Sequence, residues 1–149
     1  MKHRIIESPA FHVVGLRQRS DTAAESIVQL WQRFQPHVAD IVPSEAGVSY
    51  GVCSHGASGL VYLAGLPVSA DAAVPEGMQR IEVPAQKYAV FTHLGTVERL
   101  ADSFQVIHDS LLQRIGLTAR PGISLERYDA RFLGGIDPAS QVDLYIPIY

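Results

Sequence analysis

Ile6-Glu7-Ser8-Pro9-Ala10-Phe11-His12-Val13-Val14 returns 75 residues later as Ile81-Glu82-Val83-Pro84-Ala85-Gln86-Lys87-Tyr88-Ala89, and this repeat decides the fold. Each copy reads as a strand that breaks at its proline and then resumes. Proline has no backbone donor for a ladder and a fixed φ, so it marks a bulge or a strand end rather than the middle of a sheet.

Working outward, each copy leads into a helix. Thr22-Ala23-Ala24-Glu25 has the form of a capping box, and Ile27, Leu30, Trp31 and Phe34 follow at the spacing of one helical face. The second helix starts after Gly95-Thr96 and carries Val97, Leu100, Phe104, Ile107 and Leu111 on one stripe. Gly116 is suited to end it. Two extended runs follow each helix: Tyr50 to Val52 with Leu60 to Ala64, then Leu125 to Phe132 with Val142 to Ile148. Laying Tyr50 on Tyr128 gives an offset of 78. The expectation is a single α+β domain over residues 1–149, made of two β-β-α-β-β units at about 1–75 and 76–149. They would form one antiparallel sheet with two helices on one side, a pseudo-twofold axis and a groove, with Pro67 to Glu76 as connector.

Composition narrows the function. Hydrophobic residues make up 47% and charged residues 18% of 149, a globular balance large enough for one cooperative core. No apolar run approaches a membrane span, and the opening Met1 to Pro9 reaches an acid and a proline before a signal-peptide core forms. A cytoplasmic location is expected. The single cysteine, Cys53, excludes an internal disulfide. A net charge of −3 argues against direct binding to nucleic acid.

Several candidate chemistries fail on spacing or context. Gly47-Val48-Ser49-Tyr50-Gly51 fits the G-x-S-x-G pattern, but a nucleophile elbow needs a strand before it and a helix after it, and here a loop enters a strand. Cys53 and His55 offer two ligands with no second cluster to complete a zinc site, so no metal or other cofactor is expected. His93 reads as a half-buried sheet residue, and Gly56 to Gly59 lacks the lysine of a phosphate loop. Trp31 and Phe34 suit a core more than a pocket wall, and Tyr50, Tyr62, Tyr88, Tyr128 and Tyr145 place five hydroxyls in predicted strands. In Gln141 to Ile148, alternation puts Asp143 and Tyr145 on one face. A carboxylate there is compatible with a wet face or with a site for a lipophilic cation.

The duplicated pattern, Leu30 to Phe34, Tyr62-Leu63-Ala64-Gly65, Pro84 to Phe91, Glu126-Arg127-Tyr128-Asp129 and Asp143 to Ile148 together resemble the GyrI-like small-molecule-binding domain. That family includes effector-binding domains of AraC-type and MerR-type bacterial transcription regulators. The resemblance covers nearly the whole chain. It implies a cleft between two pseudo-symmetric units, with Asp143, Tyr145, Trp31, Phe34, Tyr62, Phe91, Glu126 and Tyr128 as ligand-binding candidates. Asp143 stands where the family usually has glutamate, and Val61 where an acid often precedes Tyr-Leu-Ala-Gly, which implies a more apolar groove. The repeat fills the chain, so no helix-turn-helix segment is expected within it. The implied function is a stand-alone module for a small organic ligand, with gyrase or a separate DNA-binding regulator as protein partner. The alternative is a hydrolase of strained electrophilic rings that uses Asp143 and Tyr145.

Overall fold

The computed structural model describes residues 1–19, 25–56 and 59–149, with His55 and Gly56 described by their backbone alone. The strands are β1 (His3–Ser8), β2 (Phe11–Arg17), β3 (Ser49–Gly56), β4 (Gly59–Val68), β5 (Gln79–Val83), β6 (Gln86–Leu94), β7 (Ser124–Tyr128) and β8 (Gln141–Pro147). They form one antiparallel sheet in the order β1-β6-β8-β7-β3-β4-β2-β5. Replacing each strand by its counterpart four places along the chain reverses this order, so the two halves are arranged alike about the β3–β7 junction.

The two prolines do more than interrupt strands. Only Pro9 and Ala10 separate β1 from β2, yet these strands occupy the first and seventh places in the sheet. Six strand spacings would part them by about 29 Å in a flat sheet. The chain from Ser8 to Phe11 reaches about 11 Å at most. The sheet therefore curls until its edges meet, and Pro84-Ala85 makes the same crossing between β5 and β6. Each half thus lends its first strand to the other, β1 pairing with β6 and β5 with β2.

The register fixes the symmetry. Adding 75 turns the β2–β5 pair Phe11↔Val83 into Gln86↔Ser8 of β6 and β1, and Gly15↔Gln79 into Val90↔Arg4. The same offset carries Ser49↔Tyr128 onto Ser124↔Cys53 and leaves Gly51↔Glu126 in place. The pseudo-twofold axis passes through that pair. The offset of 78 from matching Tyr50 with Tyr128 is corrected to 75. An even offset sends a residue to the opposite face of the pleat, and Tyr50 and Tyr128 do lie in different core clusters.

Both faces of the sheet are buried. Inside the curl, Val13, Val52, Leu63, Val83, Val90 and Leu125 pack with no helix over them. On the other face lie α1 (Ile27–Phe34) and the run α2 (Leu100–Val106), a π-helical turn (Ile107–Leu111) and α3 (Leu112–Arg114). Leu30 and Phe34 of α1 cover Val14, Tyr62 and Ala64, while Leu100, Ile107 and Leu112 cover Phe91, Val142 and Leu144. No helix among the described residues is long and apolar enough to cross a membrane.

Several boundaries differ from the sequence expectation. Thr22, Ala23 and Ala24 lie outside the described residues. The capping box on α1 is Ser26 with Gln29: the Ser26 hydroxyl accepts from the Gln29 backbone N–H at 3.1 Å, and the Gln29 side-chain Oε1 accepts from the Ser26 backbone N–H at 2.9 Å. Glu25 precedes the cap and takes two 2.8 Å hydrogen bonds from Arg33, which hold its carboxyl down at about 2. Ile27 is exposed rather than core. In the second helical run the π turn adds a residue, so the buried stripe passes from Ile107 to Leu112 instead of Leu111. Gly116 ends it at φ +76, the left-handed conformation a C′ glycine accommodates. β7 stops at Tyr128 rather than reaching Phe132, because the Asp129 carboxylate accepts the Arg131 N–H at 3.0 Å and turns the chain. Pro67 and Val68 belong to β4, so the connector starts at Ser69.

Candidate functional site

Glu126 sits at the centre of the sheet on the helix-covered face, where the pseudo-twofold axis crosses it, and is 5% exposed. Its counterpart across the axis is Gly51. A Cβ at residue 51 would lie 2.2 Å from the Tyr62 hydroxyl and 2.6 Å from Glu126 Oε1, so glycine makes the room in which the two groups meet. Both tyrosine hydroxyls converge on one carboxylate oxygen, with Tyr62 donating to Oε1 at 2.6 Å and Tyr128 at 2.7 Å. The indole N–H of Trp31 donates to the Tyr62 hydroxyl at 3.0 Å. The Trp31 ring meets Tyr128 edge-on at 5.2 Å and Phe34 at 5.9 Å, and Phe132 closes on Tyr128 at 4.9 Å. An acid is thus walled by aromatic rings from α1, β4 and β7 and the turn after β7.

The electrostatics of this site are uncompensated. Burial raises the Glu126 carboxyl above its ordinary value, against the opposing pull of the Tyr62 and Tyr128 hydrogen bonds. Burial, then the nearby Glu126 charge, also pushes the Tyr62 and Tyr128 hydroxyls and the Cys53 thiol upward. Among the described residues no Arg, Lys or His pairs with Glu126. A buried carboxylate without a counter-ion is costly, and such groups cluster at binding and catalytic sites.

Asp143 is the opposite case. It is also fully buried, but on the inner face of the curl. Its carboxylate accepts from Arg131 at 2.6 Å, from the Thr92 hydroxyl at 2.8 Å and from Arg4 at 3.3 Å. Burial would raise its pKa, and the Arg131 and Thr92 hydrogen bonds with the Arg131 charge outweigh that and hold it below the ordinary value. The network continues from Arg131 to Asp129, Arg127 and Glu45, each contact 2.9 Å. Tyr145 shares this face and stacks edge-on against Tyr88 at 5.4 Å.

The eight candidate residues therefore divide. Trp31, Phe34, Tyr62, Glu126 and Tyr128 come together, and Phe91 lies on the same face, two strands from Glu126 across Leu144. Asp143 and Tyr145 are on the far side of the sheet. Gly51, absent from the candidates, is an essential part of the geometry, and the 75-residue offset carried through β3 and β7 would have placed it opposite Glu126. His93, expected to be half-buried, is 3% exposed and joins β6 to the second helical run. Its Nε2–H donates to the Thr96 carbonyl at 2.9 Å and its Nδ1 accepts the Ser103 hydroxyl at 2.6 Å. Ser49 opens β3 with no helix after it, which leaves no nucleophile elbow. The His55 side chain is outside the described residues, and no group of three metal-ligating side chains occurs among those described.

The chain matches the family of integron-associated effector binding proteins, Cass2, over residues 4–148, and it belongs to that family. It is 50% identical over 151 residues to the transcriptional regulator BrlR of Pseudomonas aeruginosa, covering all of this chain and 56% of that protein. The chain thus spans little more than half the length of that relative. Its fold is similar to SAV2435 solved with tetraphenylphosphonium bound, with a TM-score of 0.73 at 16% identity, covering 100% of this chain and 94% of that one. It is also similar to a hydrolase of Listeria innocua, with a TM-score of 0.59 at 10% identity, covering 99% of this chain and 92% of that one. At these identities the structural likenesses are of fold alone.

Proposed function

We propose that this member of an effector-binding family takes lipophilic cations, with the positive centre over Glu126 and the aromatic rings of Trp31, Tyr62 and Tyr128 around it. The observation that carries this reading is the buried carboxyl of Glu126, which has no cationic partner among the described residues, in contrast to the ion-paired Asp143. A cation with apolar substituents would supply the missing counter-charge, pack against the rings and gain cation–π attraction. The tetraphenylphosphonium held by SAV2435, a protein of the same fold, is a ligand of this class. Full coverage by the BrlR match supports a further step, in which occupancy is read by a DNA-binding regulator segment rather than by gyrase.

Trp31 is the sole tryptophan, so its fluorescence reports the site directly. Titration with tetraphenylphosphonium should change that fluorescence saturably at one equivalent. At about 100 times the dissociation constant it should stabilise the fold by roughly 2.7 kcal/mol, a rise of about 5–10 °C in Tm. No change in either signal would refute the reading.

A second reading rests on the hydrolase of like fold and on the same carboxyl. A buried acid of raised pKa touching two phenols is equipped to hand over a proton. Steady release of diol from an epoxide by the wild-type chain, absent in Glu126→Gln, would favour it over simple binding.

A further inference from the structure

Beside the acidic centre lies a separate cavity of about 260 Å³ between α1 with the turn after it (Gln35–Asp40) and the loop that enters β3. Its walls include Trp31, Phe34, Val38, Ser49 and Leu66. Tyr62, Glu126 and Tyr128 do not reach it. Trp31 touches both spaces: its N–H bonds the Tyr62 hydroxyl and its ring meets Tyr128 on one side, while on the other it bounds the cavity. Its side chain is only half-buried, whereas Phe34 beside it is 1% exposed. The indole is held by one hydrogen bond, by edge contacts with Phe34 and Tyr128 and by packing against the apolar clusters under both helical runs, with no ionic tie.

We propose that this cavity is the outer chamber of the cation site, that Trp31 is the partition between the two, and that the ligand is an elongated amphiphilic cation whose head meets Glu126 while an apolar arm fills the chamber. This rests on the cation reading above and adds a shape to it. The chamber suits an arm because Trp31, Phe34, Val38, Pro43 and Leu66 make most of its wall apolar, with Gln35, Glu45 and Ser49 as its polar part, and apolar surface gains from leaving water there. The acidic centre alone is already filled by Tyr62, Tyr128 and Trp31, so a head that enters must displace the indole, and displacement joins the two spaces.

The test is an alkyltriphenylphosphonium series, methyl, butyl and decyl, titrated calorimetrically and by Trp31 fluorescence against the full chain. Affinity should rise by about tenfold or more from methyl to butyl, within the limit of about fourfold per buried methylene. Two variants fill the chamber from opposite walls, Val38→Trp on the helical side and Ser49→Leu on β3. Each should flatten the butyl and decyl gain to below about threefold, whatever it does to the methyl compound's own affinity. Thermal melts identify a variant that does not fold, and the other then decides. An unchanged chain-length gain in a folded variant overturns the chamber, because the arm would be lying elsewhere. Methyl binding to the wild type with no gain for longer arms overturns the chamber and leaves the cation site standing. Failure of all three compounds to bind the wild type overturns both.

Discussion

Glu126→Gln separates a ligand charge from a structural one, because the two roles predict opposite pairs of results. The amide keeps the shape of the side chain and leaves a carbonyl oxygen for the Tyr62 and Tyr128 hydroxyls, now 2.6 and 2.7 Å from Oε1. It removes the negative charge. A cationic centre screened by its own substituents approaches to about 4 Å, where two unit charges interact by up to about 4 kcal/mol at an effective dielectric near 20. Solvent and rearrangement of the rings reduce this, so the expected loss for tetraphenylphosphonium is about 1–3 kcal/mol, roughly 5- to 150-fold in Kd. A neutral ligand such as triphenylphosphine oxide should change little.

Stability should move the other way. Burial raises the folded-state pKa of Glu126, so its contribution to stability is full at low pH and is lost as pH rises through that raised value. At pH 7 the raised pKa is a net cost to the ligand-free fold, and Glu126→Gln should be more stable than the wild type. For the wild type, cation affinity should fall as pH drops toward the Glu126 pKa from above, and the variant should lack that dependence. Trp31 fluorescence titrations between pH 5 and 8, with urea melts of the free proteins, measure all of this. A variant that is less stable than wild type yet binds the cation equally well would refute the reasoning, since Glu126 would then be holding the tyrosines rather than waiting for a charge.

Asp143→Asn should destabilise by about 1–3 kcal/mol in urea melts, because Arg131 and Arg4 lose their shared partner, while changing cation affinity far less than Glu126→Gln does. An equal or larger loss of cation affinity would return the ligand charge to Asp143. With its folded pKa below 3.8, Asp143 contributes stability that is present above the unfolded value and lost as pH falls through the folded one, so acid melts of the wild type below about pH 4 should lose a component that the variant lacks. Gly51→Ala should cost about 1–3 kcal/mol and abolish tetraphenylphosphonium binding, since its methyl would fall 2.2 Å from the Tyr62 hydroxyl; unchanged binding would show that the centre gives way easily. Tyr62→Phe removes both a donor to Glu126 and the acceptor of Trp31, and should lower stability by about 1–3 kcal/mol and shift the Trp31 emission in the free protein.

Much of the architecture is local and is therefore written in the sequence. The repeated proline break, the apolar stripes of Leu30 to Phe34 and Leu100 to Ile107, and the glycine at 116 each act within a few residues of themselves. They suffice to place strands, helices and turns, and the duplication implies that the halves are arranged alike. What the sequence left open is which distant residues meet. Two residues of linker force the sheet to curl, but that constraint appears only when β1 and β2 are known to pair with β6 and β4.

The curl also hides the site from sequence periodicity. Alternation identifies a buried face when the other face is wet, and here both are buried. Asp143 looked exceptional among apolar neighbours, but its partners are Arg131, 12 residues away, and Arg4, 139 residues away. In Leu125-Glu126-Arg127-Tyr128, family resemblance makes Glu126 a candidate, but alternation does not set it apart. Glu126 becomes exceptional only when the β3–β7 register sets it against Gly51, and when the β4 tyrosine and the α1 tryptophan close over it without a cation. The sequence by itself determined the elements and their duplication, because propensity, capping and periodicity are short-range. Tertiary structure alone decided which of two buried acids is neutralised by the fold and which is left without a cationic partner, because the cost of a buried charge depends on what surrounds it in space.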